Sequence, residues 1–273
     1  VGNLVWLASY PKSGNTWARA FLHNYITDAA APHGINRLTD FSVSECAAAF
    51  FRVHDPRPAS AYTEQDVQRI RPAVHRDLTR LHDDLVFVKT HNAALAVHGV
   101  PLCTPEVTAG AIYLVRDPRD VAVSYARYTG RAVDDIIGFM GAAGAANRST
   151  EEQVFELLSS WSRHAESWAA TKRRLLVRYE DLLATPQKSF GRIISFLGEE
   201  PAPERLKRAI AFSDFHVLAM QEATQGYAAG GPNQATRFFR NGRAGQWRTA
   251  LSDAQRARIE SDHAAMMRNF GYL

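Results

Sequence analysis

Along the chain, short apolar runs take turns with longer stretches in which apolar residues recur every three or four positions. "LVWLA" (4–8) is the first run, and "LVFVK" (85–89), "AIYLV" (111–115) and "RLLVRY" (174–179) follow. Each is short, rich in branched side chains and bounded by polar residues, the pattern of strands buried on both faces of a parallel sheet. After the first run, "NTWARAFLHNYI" (15–26) places Trp17, Phe21, Leu22 and Tyr25 at helical spacing. Further helical patterns cover 64–82, 118–128, 151–171, 186–197 and 203–211. Strands alternating with helices predict βαβ units. The expected fold is therefore α/β, a single domain over 1–273 with a central parallel β-sheet flanked by helices. Two Gly-rich, small-residue stretches, 138–149 and 224–236, read as lid-like segments within that domain rather than linkers.

Ligands of such sheets gather at the carboxyl ends of the strands. The residues that follow each run are Tyr10–Thr16, Lys89–His91, Arg116–Asp120 and Tyr179–Asp181. Together they supply Lys, Ser, His, Arg and Tyr, the makings of an anion site with an aromatic neighbour. The first of them, "SYPKSGNTW" (9–17), resembles a phosphate loop with its letters reordered. A nucleoside-triphosphate loop reads G-x-x-x-x-G-K-[ST], with the Ser/Thr hydroxyl on magnesium. Here Lys12 precedes Gly14 and no glycine stands upstream. A helix starting near Gly14 aims its backbone N–H groups and positive dipole end at the loop. Lys12 adds a charge there, and Ser13, Asn15 and Thr16 add side-chain donors. The plainer reading is a strand-to-helix turn capped by Ser13 or Asn15.

"VKTH" (88–91) closes the second run, and strand alternation sets Lys89 and His91 on one side of the chain. A neutral imidazole near pH 7 can take a proton from a hydroxyl, although most of the ten histidines need no such role. In "VRDPRDVAVSYARY" (115–128), Pro118 suits a first helical turn, with Asp117 as its cap. Arg116 then presents a fork of donors suited to phosphate, or else a surface salt bridge. "FFRNGRAGQWRTAL" (238–251) is basic, and Gly242 and Gly245 allow close backbone approach; alternatively it is an ordinary basic loop.

Composition narrows the field. Of 273 residues 46% are hydrophobic and 22% charged, so the chain is globular. A net charge of +4 permits a local anion pocket without the basic stripe of a nucleic-acid binder. Cys46 and Cys103 form neither a zinc motif nor a disulfide framework, which favours reducing cytoplasm. No apolar run approaches 18 residues, so neither a membrane span nor membrane association is expected. The chain begins at Val1, and a trimmed leader stays open. Arginine outnumbers lysine 27 to 5, read here as the genomic bias of a GC-rich bacterium.

Five motifs then resemble one family in its own order. "YPKSGNTW" is similar to the 5′-phosphosulfate loop of the cytosolic-type sulfotransferases, usually YPKSGTTW. "VRDPRDVAVSY" resembles their 3′-phosphate motif, an Arg with a Ser eight residues on. "VKTH" matches the Lys-Thr-His of their catalytic histidine, "RYEDL" (178–182) their adenine-flanking tyrosine segment, and "RNGRAGQW" (240–247) their closing RKGxxGDW. The resemblance runs from residue 10 to 247. It implies a P-loop-like sulfotransferase fold and the donor 3′-phosphoadenosine 5′-phosphosulfate (PAPS), with adenosine 3′,5′-bisphosphate (PAP) as product and no metal.

By that resemblance Lys12, Ser13, Gly14, Asn15, Thr16 and Trp17 hold the 5′-phosphosulfate and adjoining adenine. Arg116, Ser124 and Arg240, with the backbone at Asn241 and Gly242, hold the 3′-phosphate. Tyr179 meets the adenine, and "FSDF" (212–215) offers Ser213 and Phe215 beside the nucleotide. His91 is the general base, and Lys12 and Lys89 touch the transferring group. Asn15 stands for a threonine, Asn241 for a lysine and Gln246 for an aspartate. The family's C-terminal dimerisation motif is not recognisable in 256–273, so oligomeric state stays open, a homodimer included. The implied partner is a small-molecule hydroxyl acceptor, with no nucleic acid. Segments 33–60, 130–150 and 220–237, carrying Phe41, Phe50, Phe51, Phe139, Met140 and Tyr227, favour a phenolic, polycyclic or natural-product-like acceptor. The competing readings are an Mg-ATP-dependent P-loop small-molecule kinase, which would need magnesium, and a non-catalytic RNA or nucleotide binder, whose affinity would fall steeply with salt.

Overall fold

All six residues of the first strand, β1 (Leu4–Ser9), are buried, as an apolar run without alternation requires. The computed structural model describes residues 2–229, 233 and 237–273. Its remaining strands are β2 (Ser42–Ser44), β3 (Val86–Thr90), β4 (Ala96–Val97), β5 (Val100–Pro101), β6 (Thr108–Val115), β7 (Ala146–Asn147), β8 (Glu156–Leu157) and β9 (Arg174–Arg178). The central parallel sheet has five strands in the order β2-β3-β1-β6-β9. β1 and β3 pair from Leu4↔Val86 to Ala8↔Thr90, which aligns their carboxyl ends. All four apolar runs form strands of this sheet. The edge strand β2 does not follow from any pattern, since three residues are too few to show one; it exists because it pairs with β3 from Ser42↔Phe87 to Ser44↔Lys89.

The helices are α1 (Asn15–Ile26), α2 (Ala48–Arg52), α3 (Glu64–Leu78), α4 (Pro118–Thr129), α5 (Val133–Gly141), α6 (Trp161–Ala169), α7 (Tyr179–Ala184), α8 (Pro186–Phe196), α9 (Pro203–Phe212), α10 (Phe215–Gln225), α11 (Trp247–Ala250) and α12 (Asp253–Asn269). Thr63 opens α3 with a capping box to Asp66, and Asp117 caps α4 through Arg119 N–H, with Pro118 in the first turn. One helical expectation fails. The pattern at 151–171 is helical only from Trp161, where Ser160 caps α6. Upstream of that, β8 pairs antiparallel with β7. Glu156 is buried there, accepting from His91 N–H at 3.1 Å and Asn147 Nδ2 at 3.0 Å. Those long-range bonds hold the segment extended and outweigh its helical spacing.

Contacts divide the chain into two compact units. The first comprises the chain up to Tyr10, Ser42–Tyr113 and Phe139–Leu176. Its core includes Leu4, Trp6, Val88, Ile112, Tyr113, Trp161 and Trp168. The second comprises Pro11–Phe41, Leu114–Gly138 and Val177–Leu273. There Phe21 stacks on Phe190 at 4.0 Å, and Ala20, Ile35, Leu38, Leu218 and Phe239 form a cluster that Trp17, Phe215 and Tyr227 join. Of the stretches read as lids, 138–149 contains the end of α5 and β7, whereas 224–225 end α10. Residues 230–232 and 234–236 of the second stretch lie outside the described residues. Phe51 and Met140, assigned above to an acceptor pocket, are wholly buried and serve as core packing.

Candidate nucleotide cradle and candidate base

The turn between β1 and α1 is built from two residues of positive φ, Lys12 at 68° and Gly14 at 99°. Gly14 is required twice over: its φ suits glycine, and a Cβ there would lie 2.8 Å from the Tyr179 ring. Gly14 itself occupies the cap position of α1, and no side-chain cap bond forms there. The capping reading of Ser13 or Asn15 is therefore not what the turn does. Instead, Ser13 Oγ and Trp17 Nε1 are buried and have no hydrogen-bond partner among the described residues. Leaving such a group unpaired costs about 1–3 kcal/mol. Orphaned donors beside an uncapped helix N-terminus fit a ligand that brings its own acceptors.

Lys12 sits among aromatic rings. Its Nζ lies 3.6 Å from the Phe238 centroid and 4.2 Å from that of Tyr128. Though the residue as a whole is only half-buried, these rings shut its ammonium from water. Burial, then Arg116, lowers its pKa to about 7, while Glu222 opposes them. Glu222 accepts from the backbone N–H groups of Phe238 at 2.6 Å and Phe239 at 2.8 Å, which holds this segment in place. Thr16, offered above as a donor, is hydrogen-bonded to the Tyr227 side chain.

Arg116 is buried and ties the cradle together. It donates to Lys12 O at 3.0 Å and Arg243 O at 3.1 Å, and lies 4.3 Å over the Tyr179 ring. Its Nε has no partner among the described residues. The nearest carboxylate, Asp120 at 3.8 Å, is committed elsewhere. Asp120 accepts from Gly245 N–H at 2.6 Å and Trp247 N–H at 3.0 Å, and so fastens the closing motif to α4. Arg119 reinforces the joint, lying 3.9 Å over Trp247 and pairing with Asp117 and Glu260. Gly242 passes so close to Phe215 that a Cβ would lie 2.4 Å from its ring, and its φ is 55°.

Ser124 is half-buried on α4. One turn on, Arg127 is electrostatically opposed by Arg240; burial and that neighbour hold its pKa below the ordinary arginine value. Two cations near enough to oppose each other, with a serine one turn before Arg127, fit an anion. Asn241 and Gln246, the two departures in the closing motif, bond to each other at 2.9 Å, and Gln246 also accepts from Arg127 at 3.2 Å. A neutral amide pair thus replaces the lysine and aspartate of the resemblance. Tyr179 is buried edge-on to Trp17, with centroids 5.8 Å apart. Phe215 is half-buried in the aromatic cluster. Ser213 is fully buried, and its hydroxyl donates to Ala209 O at 2.8 Å, closing α9. Asp120, Arg127, Tyr128 and Phe238 were missed because they reveal themselves only through spatial neighbours. The spacing of Asp120, one turn after Arg116, was the one available hint.

All these groups belong to the second unit. His91 and Lys89 belong to the first. Lys89 is half-buried in β3, opposite Leu7 and Ser44 in register. His91 follows the end of β3, and its Nδ1 lies 2.7 Å from Ser9 O and 3.2 Å from Ser9 Oγ. A carbonyl only accepts, so Nδ1 carries the proton and Nε2 is the basic nitrogen. His164 donates to His91 O at 3.1 Å and accepts from the Tyr113 hydroxyl at 2.9 Å. Burial lowers the His164 pKa to about 3, so it acts as a neutral ring.

The cradle's unpaired donors and the α1 N-terminus fit an anionic ligand. A family model of the sulfotransferase domain matches residues 3–271, and the chain belongs to that family. It is 24% identical to sulfotransferase 1A1 of the dog, over 97% of this chain and 83% of that one. Identity to human sulfotransferase 1E1 is 23%, over 96% and 83%. Among solved structures, retinol dehydratase in a complex with retinol and PAP superposes with a TM-score of 0.65 at 20% identity, covering 98% of this chain and 82% of that one. Mouse sulfotransferase SULT7A1 complexed with PAP gives 0.62 at 19% identity, covering 97% and 85%. These two likenesses establish the sulfotransferase fold. Membership of the family makes the protein a PAPS-dependent sulfotransferase that transfers a sulfuryl group to a hydroxyl.

Proposed function

We propose that this sulfotransferase uses His91 as general base toward a small, partly aromatic acceptor. The observation that carries the reading is the bond from His91 Nδ1 to Ser9 O, 2.7 Å long, which assigns the basic lone pair to Nε2. His91 Nε2 takes the acceptor's hydroxyl proton as that oxygen forms its bond to sulfur. The bond from sulfur to the bridging oxygen breaks, and PAP leaves with its electron pair. Lys12 and the amides of α1 stabilise the charge that collects on the departing oxygen, and Lys89 steadies the transferring group. Ser13, Asn15, Thr16 and Trp17 hold the 5′ end of the nucleotide. Arg116, Ser124 and Arg240, with Arg127 added, hold the 3′-phosphate. Tyr179 and Phe215 flank the adenine, with Ser213 as their neighbour.

Retinol and androsterone appear in the solved complexes of retinol dehydratase. The acceptor proposed here is likewise a small hydroxyl compound, phenolic, polycyclic or natural-product-like, with Phe41, Phe50, Phe139 and Tyr227 as candidate contacts. Among the described residues no helix is long and apolar enough to cross a membrane. A bacterial, cytoplasmic setting is the reading that the composition favours. The test is His91→Ala: turnover of PAPS with 2-naphthol should vanish while PAP affinity, measured by calorimetry, stays close to wild type. Retained turnover would remove His91 from the role of base.

A further inference from the structure

Glu45 is wholly buried, the most expensive place for a carboxylate. Burial pushes its pKa up, but Arg71 and His75 outweigh that and hold it well below the usual carboxylate range. Arg71 bonds it directly, and His75 Nε2 lies 3.5 Å away. Two groups on α3 would satisfy an ordinary buried ion pair. Glu45 takes more. Thr90 Oγ1 donates to it at 2.9 Å, Cys46 Sγ donates at 3.2 Å, and Asn92 Nδ2 donates as well. Thr90 and Asn92 are the residues on either side of His91. Thr90 Oγ1 also accepts the Asn92 N–H at 3.0 Å, and Asn92 Oδ1 accepts the Leu157 N–H at 2.7 Å.

We propose that Glu45, acting through Thr90 and Asn92, is the positioning residue that sets the His91 ring for proton transfer. The proposal rests on His91 being the base. Its physical content is geometric. The His91 N–H is held by Glu156, its carbonyl by His164 and its Nδ1 by Ser9. The carboxylate beneath adds the hold on either side of this residue, through Thr90 Oγ1 and Asn92 Nδ2. A buried charge anchors this stretch more firmly than a neutral acceptor, because charge-assisted bonds are about twice as strong. Displacing a reacting group by about 1 Å costs on the order of 100-fold in rate.

The test uses the full chain with Thr90→Val, which keeps the shape and deletes the hydroxyl, and Thr90→Ser, which restores it. Three quantities are read: kcat and KM with PAPS and 2-naphthol, PAP affinity by calorimetry, and the His91 tautomer by proton–nitrogen correlation NMR, assigned against His91→Ala. Thr90→Val should lower kcat by roughly 10- to 100-fold while PAP affinity changes less than about twofold. Its His91 signal should shift from a clean Nδ1–H form toward a mixture. Thr90→Ser should recover both. If Thr90→Val keeps the wild-type kcat and tautomer and merely melts earlier, the network is structural and the proposal falls. If 2-naphthol is not accepted, the tautomer alone decides. His91→Ala separates the two claims: turnover there defeats the base and the positioning together. A dead His91→Ala beside a normal Thr90→Val defeats the positioning alone.

Discussion

The protein treats charge in opposite ways in two places. Around Glu45 every charge is spent internally: the carboxylate is met by Arg71, His75, Thr90, Asn92 and Cys46. Around the cradle, carboxylates meet less of the positive charge at bonding distance. Lys12 faces aromatic rings, Arg127 donates to a neutral amide and feels the charge of Arg240, and Asp120, the carboxylate nearest Arg116, is occupied with backbone N–H groups. The first arrangement holds the residues on either side of His91 and presents no charge directly to a ligand. The second is strained in isolation and becomes favourable when an anion arrives. A cation bonded directly by a carboxylate, as Arg71 is, serves the fold; one whose nearest carboxylate is committed elsewhere, as Arg116 is, stays available to a ligand.

Breaking the network should produce the largest effect. Glu45→Ala leaves Arg71 buried and unpaired, and stability should fall by about 3–5 kcal/mol in urea unfolding. A loss under 1 kcal/mol would mean that the charge is not internally committed. Next comes Lys12→Met, which should slow sulfuryl transfer on the order of 100-fold or more, read in single turnover. A variant only a few times slower would assign the leaving-group charge to the α1 amides alone. Arg240 is exposed, and Arg240→Ala should weaken PAP binding by roughly 10- to 100-fold, with stability within about 0.5 kcal/mol. The opposite outcome, intact affinity with lost stability, would place Arg240 with the structural charges. Gly242→Ala sharpens the comparison at the backbone. Its Cβ would strike Phe215 in a left-handed conformation, and PAP affinity should drop about tenfold.

The smallest effect is with pH. Burial and Arg116 lower the Lys12 pKa to about 7, whereas an anion beside it favours the charged form and raises that value. PAP affinity should therefore be full below pH 7. It should decline above pH 7 by at most about tenfold per pH unit, until the pKa of the bound state is passed. Calorimetry in buffers of different ionisation enthalpy would register the accompanying proton uptake. Affinity that is flat from pH 6 to 9 would show Lys12 fully charged in the free protein.

Much of this was legible along the chain. The four apolar runs were strands, the Asp117–Pro118 cap stood where its residues suggested, and the sulfotransferase motifs led to the family. Legibility failed in definite places. The 151–171 pattern counted apolar spacing and missed that Glu156 is drawn into long-range hydrogen bonds. Ser13 and Asn15 looked like caps, yet the turn is made by Gly14 and leaves Ser13 Oγ unpaired. Phe51 and Met140 read as acceptor contacts, but composition cannot tell a core side chain from a pocket one.

What the sequence determined alone is what depends on covalent neighbours: strand and helix tendency, the turn glycines, and the donors clustered within a few residues of a strand end. Backbone sterics and side-chain periodicity act at that range and need no fold to express them. The tertiary structure decided which charges meet. Glu45 bonds Thr90 across 45 positions, and Arg116 reaches Arg243 across 127. Whether a cation is consumed or kept for a ligand is set by such pairings, because electrostatic energy depends on distance and burial, and neither is written in the order of residues.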